Sequence, residues 1–166
     1  ISIIMPTLNA QQGLRHALPA LAEGLVVGLI SQLIMSDGGS TDLTQRIADE
    51  AGADWIVGPP GRGVQIARGA AEARAPWLLI LHADTALQPG WSEAVMTALR
   101  APDRAYFGTL RFDAEGIAPG LVAGWANWRA RHLGLPYGDQ ALLIHQDLLA
   151  QVGGVPELPL VEDVAL

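Results

Sequence analysis

Five consecutive apolar residues, Trp77-Leu78-Leu79-Ile80-Leu81, run directly into His82-Ala83-Asp84, and no other stretch limits the fold of this chain so tightly. A short unbroken apolar run bounded by turn formers fits a central strand of a parallel sheet. Open α/β sheets gather ligands at the carboxyl ends of such strands, where His82 and Asp84, two positions apart, share a direction. Read alone, the pair is a capping acid beside a satisfied, half-buried histidine. The neighbouring segments shift that balance.

Ile1 to Met5 form a β-rich apolar start that Pro6-Thr7-Leu8-Asn9 stops with turn chemistry. Leu14, Leu18, Leu21 and Leu25 then recur at helical spacing, which predicts a helix over 11–23 with Pro19 as the point of kinking or division. A second strand is expected over 29–35. It leads into Asp37-Gly38-Gly39-Ser40-Thr41-Asp42, where Ser40, Thr41 and Asp42 offer N-cap groups to the next helix. A third strand over 54–57, the loop Gly58-Pro59-Pro60-Gly61-Arg62-Gly63 and an alanine-rich helix over 64–73 precede the opening strand. Pro89 suits the first turn of a further helix bearing Trp91, Val95 and Leu99.

Strand-helix repeated in this way predicts an α/β fold, a mainly parallel sheet flanked by helices on both faces. Right-handed crossovers put the loops at 7–9, 37–42, 58–63 and 82–85 on one rim. Beyond Ala101 the rhythm changes. An edge or antiparallel strand is expected over 106–112, a helix over 119–132, an apolar run over 141–144 and a short helix over 146–152. Trp125 and Trp128, three apart, read as a helix face packed on the core, with stacking on a ligand beside Tyr137 as the alternative. With 166 residues and no linker, the chain reads as one domain. The closing residues 161–166 look like the start of a helix, so a further C-terminal segment is expected.

Composition narrows the chemistry. Seventeen acids against ten bases give a formal charge of −7, with no basic run, so nucleic acid is a poor partner. No cysteine occurs, which fits a reducing cytoplasm. No stretch reaches the roughly 18–20 apolar residues of a membrane span. Neither a Gly-x-Gly-x-x-Gly turn after the first strand nor a Gly-x-x-x-x-Gly-Lys-Ser/Thr loop is present. His-x-x-x-His zinc spacing and a Gly-x-Ser-x-Gly elbow are also missing. What remains is a set of isolated acids at strand ends and loops: Asp37, Asp84, Asp139 and Asp163. A lone carboxylate suits Mg²⁺ or Mn²⁺ shared with substrate phosphates, and such an ion would supply the positive charge that an acidic protein needs to hold an anion. Asp84 is the best candidate ligand.

Ser2-Ile3-Ile4-Met5-Pro6-Thr7-Leu8-Asn9, Asp37-Gly38-Gly39-Ser40-Thr41-Asp42, Leu81-His82-Ala83-Asp84 and Glu162-Asp163, in that order, resemble the successive landmarks of family 2 glycosyltransferases of the GT-A fold. Gly61-Arg62-Gly63 and Gly138-Asp139-Gln140 further resemble a bacterial selenodomain-associated subgroup. The resemblance implies a Rossmann-like nucleotide-binding half over 1–100 and an acceptor-side region over 101–166. It implies a metal-dependent, inverting transfer of a sugar from a UDP- or GDP-linked donor to a hydroxyl acceptor, in the cytoplasm or at the inner membrane face as a peripheral protein. Thr7, Asn9, Asp37, Arg62 and His82 would then hold the nucleotide, Asp84 the metal, and Asp139 and Gln140 the border of the acceptor site. Asp163 would be the general base. The family signature at the fourth strand is usually Asp-x-Asp, and His82 stands at its first position here. A nucleotidyltransferase and a catalytically silent sugar-nucleotide-binding module are the rival readings.

Overall fold

The computed structural model describes residues 1–111, 117–133 and 140–155. In chain order the elements are β1 (Ser2–Thr7), α1 (Gln11–Ala20), α2 (Ala22–Val26), β2 (Gln32–Asp37), α3 (Thr44–Glu50), β3 (Asp54–Val57), α4 (Arg62–Ala71) and β4 (Trp77–Ile80). They continue with α5 (Trp91–Ala98), β5 (Tyr106–Phe107), α6 (Ile117–Leu133), β6 (Leu142–His145) and α7 (Gln146–Gln151). The strands form one six-stranded sheet in the order β3-β2-β1-β4-β6-β5. Strands β1 to β4 are parallel, whereas β6 runs antiparallel to β4 and β5 antiparallel to β6. The change of rhythm after Ala101 is therefore a change of strand direction.

Alternation along each central strand feeds two cores. Ile3, Met5, Met35, Leu79 and Leu81 point to one face and pack with Leu14, Ala17, Leu21, Ala48 and Trp91 from the α1, α2, α3 and α5 side. Ile4, Ile34, Leu78 and Ile80 point to the other and meet Ile66 of α4 and Leu149 of α7. Both faces of β4 are covered, so its sequence is continuously apolar and shows no polar alternation. Each such side chain contributes about 1.5–3 kcal/mol by leaving water.

Several boundaries differ from the sequence expectation. The first helix divides at Leu21, whose N–H bonds Leu18 O (3.0 Å), two residues after the proline that cannot donate to the preceding turn. Strand β2 starts later than Leu29 because pairing with β1 begins at Ser2↔Gln32, while Leu29 receives the N-terminal ammonium on its carbonyl (2.7 Å). Strand β2 also runs on through Ser36 and Asp37, polar residues that are buried at its end. Strand β5 stops at Phe107, short of the expected 112. None of the three expected capping residues holds the N-cap position of α3, which is Leu43, but Asp42 just before it accepts from Thr44 N on Oδ1 (2.9 Å). Its Oδ2 accepts from Gln11 N (3.2 Å), so the one carboxylate ties the starts of α1 and α3 together.

Candidate active site

Parallel β1, β2, β3 and β4 deliver their following loops to one end of the sheet, and that end is the polar rim of the molecule. Thr7, the last residue of β1, is buried and donates from Oγ1 to Asp37 Oδ1 (2.9 Å) at the end of β2. Asp37 Oδ1 also accepts from Ser40 Oγ (2.5 Å), and Oδ2 accepts from the backbone N–H groups of Gly39 (2.7 Å) and Ser40 (2.6 Å). Burial pushes the Asp37 carboxyl up, but the hydrogen bonds from Ser40, Thr7 and Gly39 outweigh it and hold the group below its ordinary range. Asp37 is thus a saturated hub that shapes the loop after β2, and an outside donor such as a base N–H would share or displace one of these bonds.

Asn9 laces the same two loops from above. Its Oδ1 accepts from Thr41 N (2.9 Å), and its own N–H reaches Ser40 Oγ (2.8 Å). Asn9 adopts φ 50°, a left-handed conformation that asparagine tolerates better than most residues.

Three of the five residues expected to hold a nucleotide meet beside this pair of loops, while Asn9 and Asp37 are not among the residues lining the cleft there. Thr7, Arg62 and His82, from the ends of β1, the start of α4 and the end of β4, line one cleft of about 200 Å³ with Gln65, Leu8 and Ala83. His82 Nδ1 and Asp84 Oδ1 are hydrogen-bonded, with the His82 side chain 27% exposed and that of Asp84 64% exposed. The His82 hydrogen bond, opposed by burial and helped by the charges of His82 and Arg62, holds the Asp84 carboxyl below its ordinary range. Asp84 is therefore an ionised, solvent-exposed carboxylate that follows the cleft-lining His82 and Ala83 without lining the cleft itself, and it suits a hard divalent cation that keeps waters and shares phosphate oxygens. Among the described residues no group of three or more His, Cys, Asp or Glu gathers around one point, so a cation here would draw its remaining ligands from substrate and water.

Gly13 of α1 allows this placement. A Cβ there would stand 2.7 Å from Ala83 O and 2.9 Å from Asp84 Cβ, so only glycine lets the helix lie against the His82–Asp84 turn. The sequence signal was a glycine inside a helical period.

A second cleft, of about 350 Å³, is lined by the residues that follow Asp84 and by the segment after β5. Thr85, Gln88, Trp91, Thr109, Arg111 and Gln140 are among its lining residues. Gln140 is buried and donates to Gly108 O (3.1 Å) and Asn127 Oδ1 (3.2 Å), joining the start of β6 to the segment after β5 and to α6. Asp139, Tyr137, Glu162 and Asp163 lie outside the described residues. Trp125 and Trp128 correct the expectation of core packing: they stack on each other at 5.2 Å and are 58% and 45% exposed, while Ala123, Ala126 and Ala130 face inward. Equal helical spacing marks a face but not which side of the helix is covered.

Gln65 was not singled out by sequence. It is 4% exposed, and its Nε2 donates to Thr7 O (2.7 Å) and Ser36 O (2.8 Å) while Oε1 accepts from Gly61 N (3.1 Å).

The sequence profile of glycosyl transferase family 2 matches residues 2–133. No curated protein matches the chain. Among solved structures, glucosyl-3-phosphoglycerate synthase from Mycobacterium tuberculosis with Mn²⁺, UDP and phosphoglyceric acid aligns with TM-score 0.64 at 21% identity, over 89% of this chain and 56% of that one. The same enzyme with phosphoglyceric acid aligns with TM-score 0.68 at 20% identity, over 98% of this chain and 67% of that one. A further structure, described as a mycobacterial protein, aligns with TM-score 0.64 at 23% identity, over 89% and 53%. These likenesses establish the fold, and the chain spans little more than half the length of the first of these structures.

Proposed function

The chain belongs to glycosyl transferase family 2, and from that premise we propose that it moves a sugar from a nucleoside-diphosphate donor to a hydroxyl acceptor with inversion at the anomeric carbon. One observation carries the reading: Thr7, Arg62 and His82 line one cleft, Gln140 lines another, and Asp84 falls in the chain between Ala83 of the first lining and Thr85 of the second. The first cleft, at about 200 Å³, is below the roughly 300 Å³ of common ligand sites, so it holds the base and ribose while the diphosphate and sugar extend past Asp84. UDP is the proposed nucleotide, supported by the UDP and UDP-glucose complexes of the M. tuberculosis enzyme, with GDP as the competing donor to be tested.

In this reading Asp84 holds a divalent cation, Mn²⁺ or Mg²⁺, which when bound neutralises charge on the diphosphate. Arg62 adds a fixed positive charge on the same side, and the saturated Asp37 hub keeps the first two loops in place for the nucleotide. Asp163 takes the proton from the acceptor hydroxyl as that oxygen attacks, and Asp139 and Gln140 border the acceptor. Proton transfer of this kind supplies about 10²–10⁴-fold, with positioning and electrostatics providing the rest. The proposed setting is cytoplasmic. No helix among the described residues is long and apolar enough to cross a membrane, and peripheral attachment at the inner membrane face remains part of the proposal.

The test is a thermal-shift screen of nucleotide sugars with and without Mn²⁺, followed by a hydrolysis assay on the donor that stabilises most, since bound ligand raises the melting temperature by mass action. Metal-dependent stabilisation by one nucleotide series, with slow hydrolysis of its sugar, is expected. Stabilisation without turnover in the full-length protein would favour a silent binding module. Pyrophosphate release from a nucleoside triphosphate would replace the proposal with a nucleotidyltransferase.

A further inference from the structure

Arg62 reaches the donor cleft from the first turn of α4, after Gly58-Pro59-Pro60-Gly61, where the prolines fix their own φ but the flanking glycines leave the direction of the segment unset. Gly61 has φ 136°, a conformation that only glycine adopts without strain, and no side chain of its own turn caps the helix. Both polar groups of the Gly61 backbone are nevertheless held by the same residue. Its N–H donates to Gln65 Oε1 (3.1 Å), and its carbonyl accepts from Gln65 N (2.9 Å). The other end of the Gln65 amide is fixed to the sheet, through Nε2, at Thr7 O and Ser36 O. Packing reinforces the clamp, since a Cβ on Gly38 would stand 3.1 Å from Pro60 Cα and 3.4 Å from Gln65 Cδ. The loops after β1, β2 and β3 are therefore joined through one buried side chain.

We propose that Gln65 is the positioning residue of the donor site: it fixes the Gly61 backbone against the ends of β1 and β2 and so sets where Arg62 stands. This rests on the donor-site reading above. A purely structural role is the rival, and the molecule contains a control for it. Gln32 is 7% exposed and spends its amide on four hydrogen bonds where that of Gln65 makes three, with Nε2 donating to Asp54 Oδ2 (2.8 Å) and Glu72 O (3.1 Å) and Oε1 accepting from Ser2 Oγ (2.7 Å) and Arg74 N (2.9 Å). It does so at the opposite end of the same sheet, away from the cleft. If buried glutamines matter only for stability, the two should behave alike.

The experiment pairs UDP titration in Mn²⁺ by calorimetry with thermal unfolding, in wild type, Gln65→Met, Gln32→Met, Arg62→Ala and the Arg62→Ala/Gln65→Met double variant. Methionine keeps the volume and removes the hydrogen bonds. Both glutamine variants should melt earlier, but only Gln65→Met should weaken UDP, by about tenfold, the scale on which displaced supporting groups act. The double variant should bind no more weakly than Arg62→Ala, because a residue acting through Arg62 has nothing left to position once Arg62 is gone. Should Gln65→Met fail to fold, Gly61→Ala disturbs the same backbone unit from its other side and must lower affinity in the same way. Undiminished UDP binding in Gln65→Met, equal losses in Gln65→Met and Gln32→Met, or additive losses in the double variant would each overturn the assignment while leaving the donor site intact. A wild type that binds no nucleoside diphosphate in Mn²⁺ would remove the donor site and the assignment together.

Discussion

The two ends of the sheet solve the same problem differently. At the amino-terminal end, Ser2, Gln32, Asp54 and Arg74 close on one another: Ser2 Oγ donates to Gln32 and accepts from Ala75 N (3.1 Å), and Arg74 pairs with Asp54 (2.9 Å). None of these residues lines either of the two clefts. At the carboxyl end, Thr7, Asp37, Ser40 and Gln65 are as fully paired, yet they support a second layer of Arg62, His82 and Asp84 that opens to solvent around a cleft. A closed polar network is scaffold. The same kind of network, beneath the cleft-lining Arg62 and His82, is what we propose as the base of a site.

That contrast can be broken most forcefully at the acceptor side. Asp163→Asn should leave donor binding unchanged and lower transfer by about 10²–10⁴-fold, read by initial rates beside calorimetry; a fully active variant removes Asp163 as the base. Next in size is Asp37→Asn, which replaces two acceptor bonds to backbone N–H groups with opposed donors and should cost about 2–3 kcal/mol. Its pH dependence sharpens the point. The folded Asp37 carboxyl titrates below its ordinary value of 3.8, so its stabilisation is fully present above that value and is lost as pH falls through the lower folded value. Wild type should therefore lose stability on acidification more steeply than Asp37→Asn, and parallel unfolding curves would show that Asp37 is no hub.

Gly13→Ala tests how tightly the rim is built. In an exposed helix this change stabilises by up to about 1 kcal/mol, but the contact of a Cβ with Ala83 O should reverse the sign and destabilise by about 1–2 kcal/mol. A gain in stability would show that the turn bearing Asp84 is free to move aside. The smallest effect belongs to the closed end. Arg74→Met removes a solvent-facing ion pair and should change stability by about 0.5 kcal/mol or less, with UDP affinity untouched.

The sequence carried the layers and the rim, because apolar runs such as Trp77–Ile80 and the polar residues that stop them are local signals. Thr7, Arg62, His82 and Asp84 were found at strand ends and helix starts for the same reason. Gln65 and Gln32 were invisible because, Gly61 apart, their partners stand 22 to 58 residues away, where no period or spacing reports them. The two tryptophans of α6 failed in the other direction: their spacing was clear, but exposure is set by which neighbours cover the helix. Strand β2 slid along its expected range because pairing with β1, not hydrophobicity, decides where it begins.

Whether the carboxyl-end rim is a metal-assisted nucleotide site is decided most directly by titrating UDP into wild type and Asp84→Ala at saturating Mn²⁺. Binding in wild type that Asp84→Ala abolishes, and that also vanishes when the metal is chelated, is the predicted result. Unchanged affinity in Asp84→Ala would contradict it.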